Sequence, residues 1–162
     1  MKILALDLAL KTGWACRSEY GDQLISGVQD FSLTRGESRG MVYIKFIGWL
    51  KKTYSTVLFD LVYYEQPHQR GGAPTQILLG LVSHLQAFCA DKGIDHADVH
   101  SKTLKKFATG SGNAKKPDMI IKAAEILGRQ PLDDNEADAV HILLFAENAI
   151  GEKREHKTKE QA

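Results

Sequence analysis

Apolar and polar positions change period several times along the chain, and each change marks an element. Residues 2–8 (KILALDL) form a short apolar run with a single acid near its end. Residues 13–17 and 24–28 are two more strand-like runs, separated by a turn around residues 19–22. From residue 36 to 54 the period lengthens: Met41, Ile44, Phe46, Ile47 and Leu50 recur at helical spacing among basic residues. Residues 56–64 (TVLFDLVYY) return to a β-branched and aromatic run that ends at Glu65, and Pro67 prevents its continuation. A long apolar helix is expected over residues 74–90, a strand over 94–100 and a short helix over 102–107. After a flexible break at Gly110-Ser111-Gly112-Asn113, a helix is expected over 117–127, with Pro117 in its first turn, and a last one over 134–150. Residues 151–162 are polar throughout and read as a disordered tail.

Three strands in a meander, then strands alternating with helices, predict an α/β fold: a five-stranded mixed sheet flanked by helices, in one domain over residues 1–150. A right-handed crossover places the fourth strand beside the first. Asp7 and Glu65, each ending its strand, then become neighbours.

Composition narrows the class. A chain of 162 residues with 43% hydrophobic and 25% charged positions is of ordinary globular make-up. No apolar run approaches the roughly 18 residues a membrane span needs, so no membrane anchor is expected. The acid at position 7 interrupts the apolar stretch that a secretory leader requires. Cys16 and Cys89 offer neither a disulfide framework nor a close-spaced metal motif, and a cytoplasmic location is expected. Net charge is only +1, but residues 101–122 hold six lysines and one acid, a net of +5 that leaves −4 for the rest. Such a block suits contact with a polyanion; a solvated lysine-rich surface is the equally available reading.

Asp7, Glu65 and Asp138 carry the candidate chemistry. Asp138 lies in an apolar helix between Ala137 and Ala139. Each acid alone fits a strand end or an exposed helix position. Three on one sheet edge repel one another unless something cationic lies between them. Oxygen donors of this kind suit Mg²⁺ or Mn²⁺. Two such ions roughly 3.5–4 Å apart can activate a water and stabilise the leaving oxygen in phosphodiester hydrolysis.

Four segments also carry a resemblance. Leu4-Ala5-Leu6-Asp7-Leu8-Ala9-Leu10-Lys11-Thr12-Gly13-Trp14-Ala15 resembles the first motif of RuvC-type Holliday-junction resolvases, particularly their phage-borne relatives. Tyr63-Tyr64-Glu65-Gln66-Pro67 resembles their second acidic motif. Residues 104–116 are similar to the lysine-and-glycine segment, and Asp133-Asp134-Asn135-Glu136-Ala137-Asp138-Ala139 to the final motif. The four occur in order and cover about residues 1–150. The resemblance implies a ribonuclease H-like fold, a homodimer, Mg²⁺ or Mn²⁺ (two ions per site), paired nicking of four-way DNA junctions, and the cytoplasm of a bacterial or phage-infected cell. By position, Asp7, Glu65 and Asp138 match catalytic, metal-holding carboxylates. The fourth falls on Asn135 by the spacing, or on Asp134 one residue earlier; Asp134 is favoured, with Asn135 then the helix N-cap. Lys105 and Lys116 match DNA-contacting lysines, and Lys106 and Lys115 adjoin them. His68 falls where some members carry an aromatic wedge, and Arg70 is a candidate phosphate contact.

Other features weigh less. His141, one turn after Asp138, borders the site or packs the helix, with packing favoured. Trp14 and Trp49 are expected in the core. Sugar-kinase and actin-like ATPases open with a similar strand and acid, but Leu8-Ala9-Leu10-Lys11 lacks the glycines their phosphate loop needs. A nuclease acting on RNA or other branched DNA, and a non-catalytic junction-binding module, remain as alternatives. The helix over 74–90 carries more apolar residues than one buried face uses, and Ala73, Gly80, Ser83 and Ala87 form a small-residue side. This predicts a two-fold dimer face; burial under the last helix is the other reading.

Overall fold

The computed structural model describes residues 1–18, 22–67 and 72–160, with side chains described through residue 152. Strands β1 (Ile3–Asp7), β2 (Lys11–Arg17) and β3 (Leu24–Asp30) form the antiparallel meander. Helix α1 (Gly40–Val57) crosses to β4 (Leu61–Glu65), and α2 (Gly72–Lys92) to β5 (Asp95–Val99). Helices α3 (Ser101–Thr109), α4 (Lys116–Leu127) and α5 (Asp134–Glu160) complete the chain. The sheet order is β3-β2-β1-β4-β5, with β4 parallel to both β1 and β5. The fourth strand therefore lies beside the first, as expected.

Side chains in a strand alternate between faces, and this alternation separates two cores. Leu4, Leu6 and Leu8 of β1 and Val62 and Tyr64 of β4 pack with Phe46 and Leu50 of α1 and Leu81 and Leu85 of α2. Ile3 and Ala5 of β1, Ala15 of β2 and Leu61 of β4 pack instead under Leu104, Met119, Val140 and Leu143 of α3, α4 and α5. Each buried aliphatic side chain contributes about 1.5–3 kcal/mol. The same parity assigns Asp7, Gly13 and Glu65 to the face that α5 covers.

Several boundaries differ from the pattern. Thr56 and Val57 belong to α1, not to β4: the helix ends at Leu58 in a left-handed conformation (φ 50°), whose N–H donates to the Tyr54 carbonyl. β-Branched composition alone suggested strand there. Helix α5 runs to Glu160, past the expected end at residue 150 and through most of the expected tail. Beyond Ile150 the sequence is mostly helix-forming Glu, Lys and Arg with one glycine and no proline, and Asn148 Nδ2 donates to Glu152 Oε1 one turn on, at 2.9 Å.

Gly80 is not part of an open face. A Cβ there would lie 2.3 Å from the Tyr43 hydroxyl of α1, so Gly80 is where α1 and α2 approach each other. Most of the apolar excess on α2 is likewise buried within the subunit, on the sheet face opposite α5. Leu79, Ser83 and Ala87 stay exposed. Both cysteines are free and buried. Among the described residues no helix is long and apolar enough to cross a membrane.

Candidate active site

Asp7 is the last residue of β1. The β1–β2 turn that follows is fixed by Thr12, whose buried hydroxyl donates to the Ala9 carbonyl at 2.6 Å. In the parallel β1–β4 ladder Leu6 lies opposite Tyr64, so Asp7 and Glu65 end adjacent strands at the same level. On the other side Asp7 pairs with Gly13 of β2.

Gly13 is where α5 meets the sheet. A Cβ at this position would lie 1.9 Å from the Asn135 carbonyl oxygen, a distance no side chain tolerates. With only a hydrogen there, the first turn of α5 rests on β2, and Asn135 Nδ2 donates to the Lys11 carbonyl at 2.7 Å. Asp138, one turn on, reaches the same strand ends.

Asn135 is therefore a latch between helix and strand and not the helix N-cap. The cap is Asp133, whose Oδ1 accepts from the Glu136 N–H at 2.9 Å. Glu136 is fully buried. Its carboxylate takes Arg129 at 2.6 Å, Ser26 Oγ at 2.6 Å and the Leu132 N–H. Burial pushes its pKa up, but these donors together outweigh burial and hold it below the usual carboxylate range. Sequence reasoning assigned Glu136 nothing. The available signal was the Asp133-x-x-Glu136 spacing of a capping box.

Asp7 and Asp138 behave in the opposite way. Burial first, then Asp138, Glu65, Asp134 and Asp133, push the Asp7 carboxyl well above its usual range. Asp138 is raised to about 7 by burial, Glu65 and Asp134, against the opposing pull of Lys105 and Lys116. Four predicted carboxylates from β1, β4 and α5 thus lie within one electrostatic neighbourhood. Among the described residues, no three His, Cys, Asp or Glu side chains are gathered tightly enough to enclose an ion as they stand.

Two of the predicted lysines reach this cluster. Lys105 is half-buried on α3. Gly110 closes that helix at φ 84°, and the following loop leads into α4. Lys116, the first residue of α4, bonds its ammonium to Asp134 Oδ2. Asp134, then Asp138 and Asp7, raise its pKa. Lys106 and Lys115 are exposed on the same segments. His68 and Arg70 lie outside the described residues. His141 is a packing residue: it is buried, with Nε2 2.9 Å from the Met119 carbonyl of α4. Trp14 and Trp49 pack against the α1–α2 core.

A five-stranded mixed sheet in the order 3-2-1-4-5, flanked by helices, is the ribonuclease H-like fold. Among solved structures, the chain is similar to Thermus thermophilus RuvC in complex with a Holliday junction substrate. The TM-score is 0.74 at 15% identity, over 89% of this chain and 91% of that one. A second Thermus thermophilus RuvC structure gives 0.69 at 16% identity, over 89% and 92%. The fowlpox virus resolvase, solved with Holliday junction DNA, gives 0.56 at 11% identity, over 91% and 99%. No protein-family model and no curated protein matches the sequence.

Proposed function

We propose that this protein is a metal-dependent endonuclease that resolves four-way DNA junctions by paired nicks. The observation that carries the reading is the gathering of Asp7, Glu65, Asp134 and Asp138 on one sheet face, where burial first, and then the neighbouring acids, raise the pKa of Asp7 and Asp138. A fold keeps such repulsion where the charges have a task. The donors fit Mg²⁺ or Mn²⁺ in kind, since all are carboxylate oxygens, and Asp7, Glu65, Asp138 and Asp134 would hold the ions. Two bound ions would supply water activation and stabilisation of the leaving oxygen. Lys105 and Lys116 hold positive charge beside the acids, where a scissile phosphate would lie. Lys106 and Lys115 extend that charge along the backbone. Asn135 latches α5 to β2, so its amide gives no support to a degraded, non-catalytic site.

The structures that match at 0.74 and 0.56 hold Holliday junction DNA in their complexes, which supports branched DNA as the substrate here. Paired nicks call for two equivalent sites, and a two-fold homodimer supplies them. The exposed Leu79, Ser83 and Ala87 of α2 are the face on which we place it.

Asp7→Asn, Glu65→Gln and Asp138→Asn should each abolish Mg²⁺-dependent nicking of a synthetic four-way junction while leaving junction binding largely intact. Near-normal cleavage by any of them would remove that residue from the site. Preferential cutting of duplex or RNA–DNA hybrid over the junction would overturn the substrate assignment.

A further inference from the structure

Lys116 is attached to the cluster in an unusual way for a DNA-contacting lysine. Its ammonium is bonded to Asp134, a carboxylate assigned to the metal. Its side chain is nevertheless 78% exposed, against 33% for Asp134, so the pair stands at the mouth of the site. It is the first residue of its helix, at the end of a loop, and its ammonium sits on a flexible four-carbon stem. Lys105, which also lowers the pKa of Asp138, is half-buried on α3.

We propose that Lys116 is the tethered counter-ion of the carboxylate cluster. In the metal-free protein it holds Asp134; when a DNA phosphate takes its ammonium, Asp134 is released to a divalent cation. The inference rests on the nuclease reading above and concerns how that site is loaded. An ammonium on Asp134 Oδ2 and an ion on the same oxygen exclude each other. The described carboxylates as they stand do not enclose an ion, and Lys116 occupies Asp134 Oδ2. An exposed ion pair is weak enough to exchange partners readily. A phosphate bears the same sign of charge as Asp134 and offers the lysine an alternative partner outside the site. Metal and DNA binding are then coupled through one side chain, and the coupling is reciprocal. The protein then binds its ions more tightly when DNA is already in place.

The test is Mn²⁺ affinity of the full chain, read from the electron paramagnetic resonance of the free ion and therefore independent of cleavage. Lys116→Gln should bind Mn²⁺ about threefold to fivefold more tightly than the unaltered protein, the range expected for releasing an exposed ion pair. Lys116→Arg should restore ordinary affinity. Lys115→Gln removes the same charge one residue away and should change affinity by less than about twofold at 0.15 M salt, where screening is strong. A short DNA duplex, which offers phosphates without a junction to cut, should tighten Mn²⁺ binding by the unaltered protein and not by Lys116→Gln. Equal or weaker Mn²⁺ binding by Lys116→Gln overturns the inference while Asp7→Asn still loses the ion. If Asp7→Asn binds Mn²⁺ as well as the unaltered protein does, the metal-site reading fails first and the inference falls with it.

Discussion

At the residue scale, Asp138 shows what the site demands of the fold. Its neighbours Ala137 and Ala139 are fully buried, and it shares a desolvated space with other acids. Its pKa stands at about 7 in the folded chain against an ordinary 3.8. A carboxyl raised on folding costs nothing below its unfolded value. It destabilises progressively as pH climbs between the two values, and the full cost is present above the upper one. Asp138→Asn should therefore be more stable than the unaltered protein at pH 8 in a chelator, by about 2 kcal/mol after allowance for solvent screening. That corresponds to about 4–8 °C in melting temperature for a chain of this size. The advantage should vanish near pH 4. Melting curves across that range check it, and a pH-independent difference would show that Asp138 does not carry the raised pKa.

At the element scale, the site depends on how closely α5 approaches β2. Gly13→Ala would place a methyl group against the Asn135 carbonyl, forcing the helix start away from the strand ends. Overpacking of this kind costs about 1–3 kcal/mol. Loss of nicking should exceed what the loss of stability explains, because Asp134 and Asp138 move with the helix. Gly48→Ala is the control: a Cβ there meets nothing within 4 Å on α1, and it should raise the melting temperature slightly. This dependence also marks where the sequence could be read and where it could not. The apolar run KILALDL, the β-branched and aromatic run over residues 56–64 and the crossover rule placed Asp7 and Glu65 side by side, because strand composition is local and crossover handedness is general. The role of Asn135 could not be read, since its partner Lys11 is distant in sequence and either an amide cap or an amide latch fits the same letters. Gly80 failed for a related reason. Its small size suits close approach, but only the fold reveals that the approaching group is Tyr43 of the same chain.

At the scale of the whole molecule, charge and symmetry carry the remaining expectations. Replacing Lys105, Lys106, Lys115 and Lys116 with alanine should weaken junction binding and flatten its dependence on salt, because fewer phosphate counterions are released. Filter binding between 50 and 200 mM salt, a span of roughly 10³–10⁵ in affinity for a protein with many phosphate contacts, measures the slope. An unchanged slope would reduce the block to a solvated surface. For the dimer, Ala87→Glu adds charge to an exposed position on α2 without disturbing the α1–α2 contact at Gly80. It should leave a folded monomer that no longer makes paired nicks. Sedimentation of the unaltered protein as a monomer at micromolar concentration, with and without junction DNA, would rule the dimer out.

The positions of β1 and β4 that face α5 are all odd-numbered, and this has a genetic consequence. Ile3, Ala5 and Asp7, like Leu61, Tyr63 and Glu65, share that face only because each strand is read without a gap. A substitution at Ala5 leaves every other side chain of the strand on its own face. Loss of its codon would exchange the two faces for part of the strand, directing either Asp7 towards the α1–α2 core or Ile3 away from its own. A gene encoding this fold can thus drift by point mutation within these strands, but it can lengthen or shorten only between elements, as in the loop over residues 31–39 that joins β3 to α1.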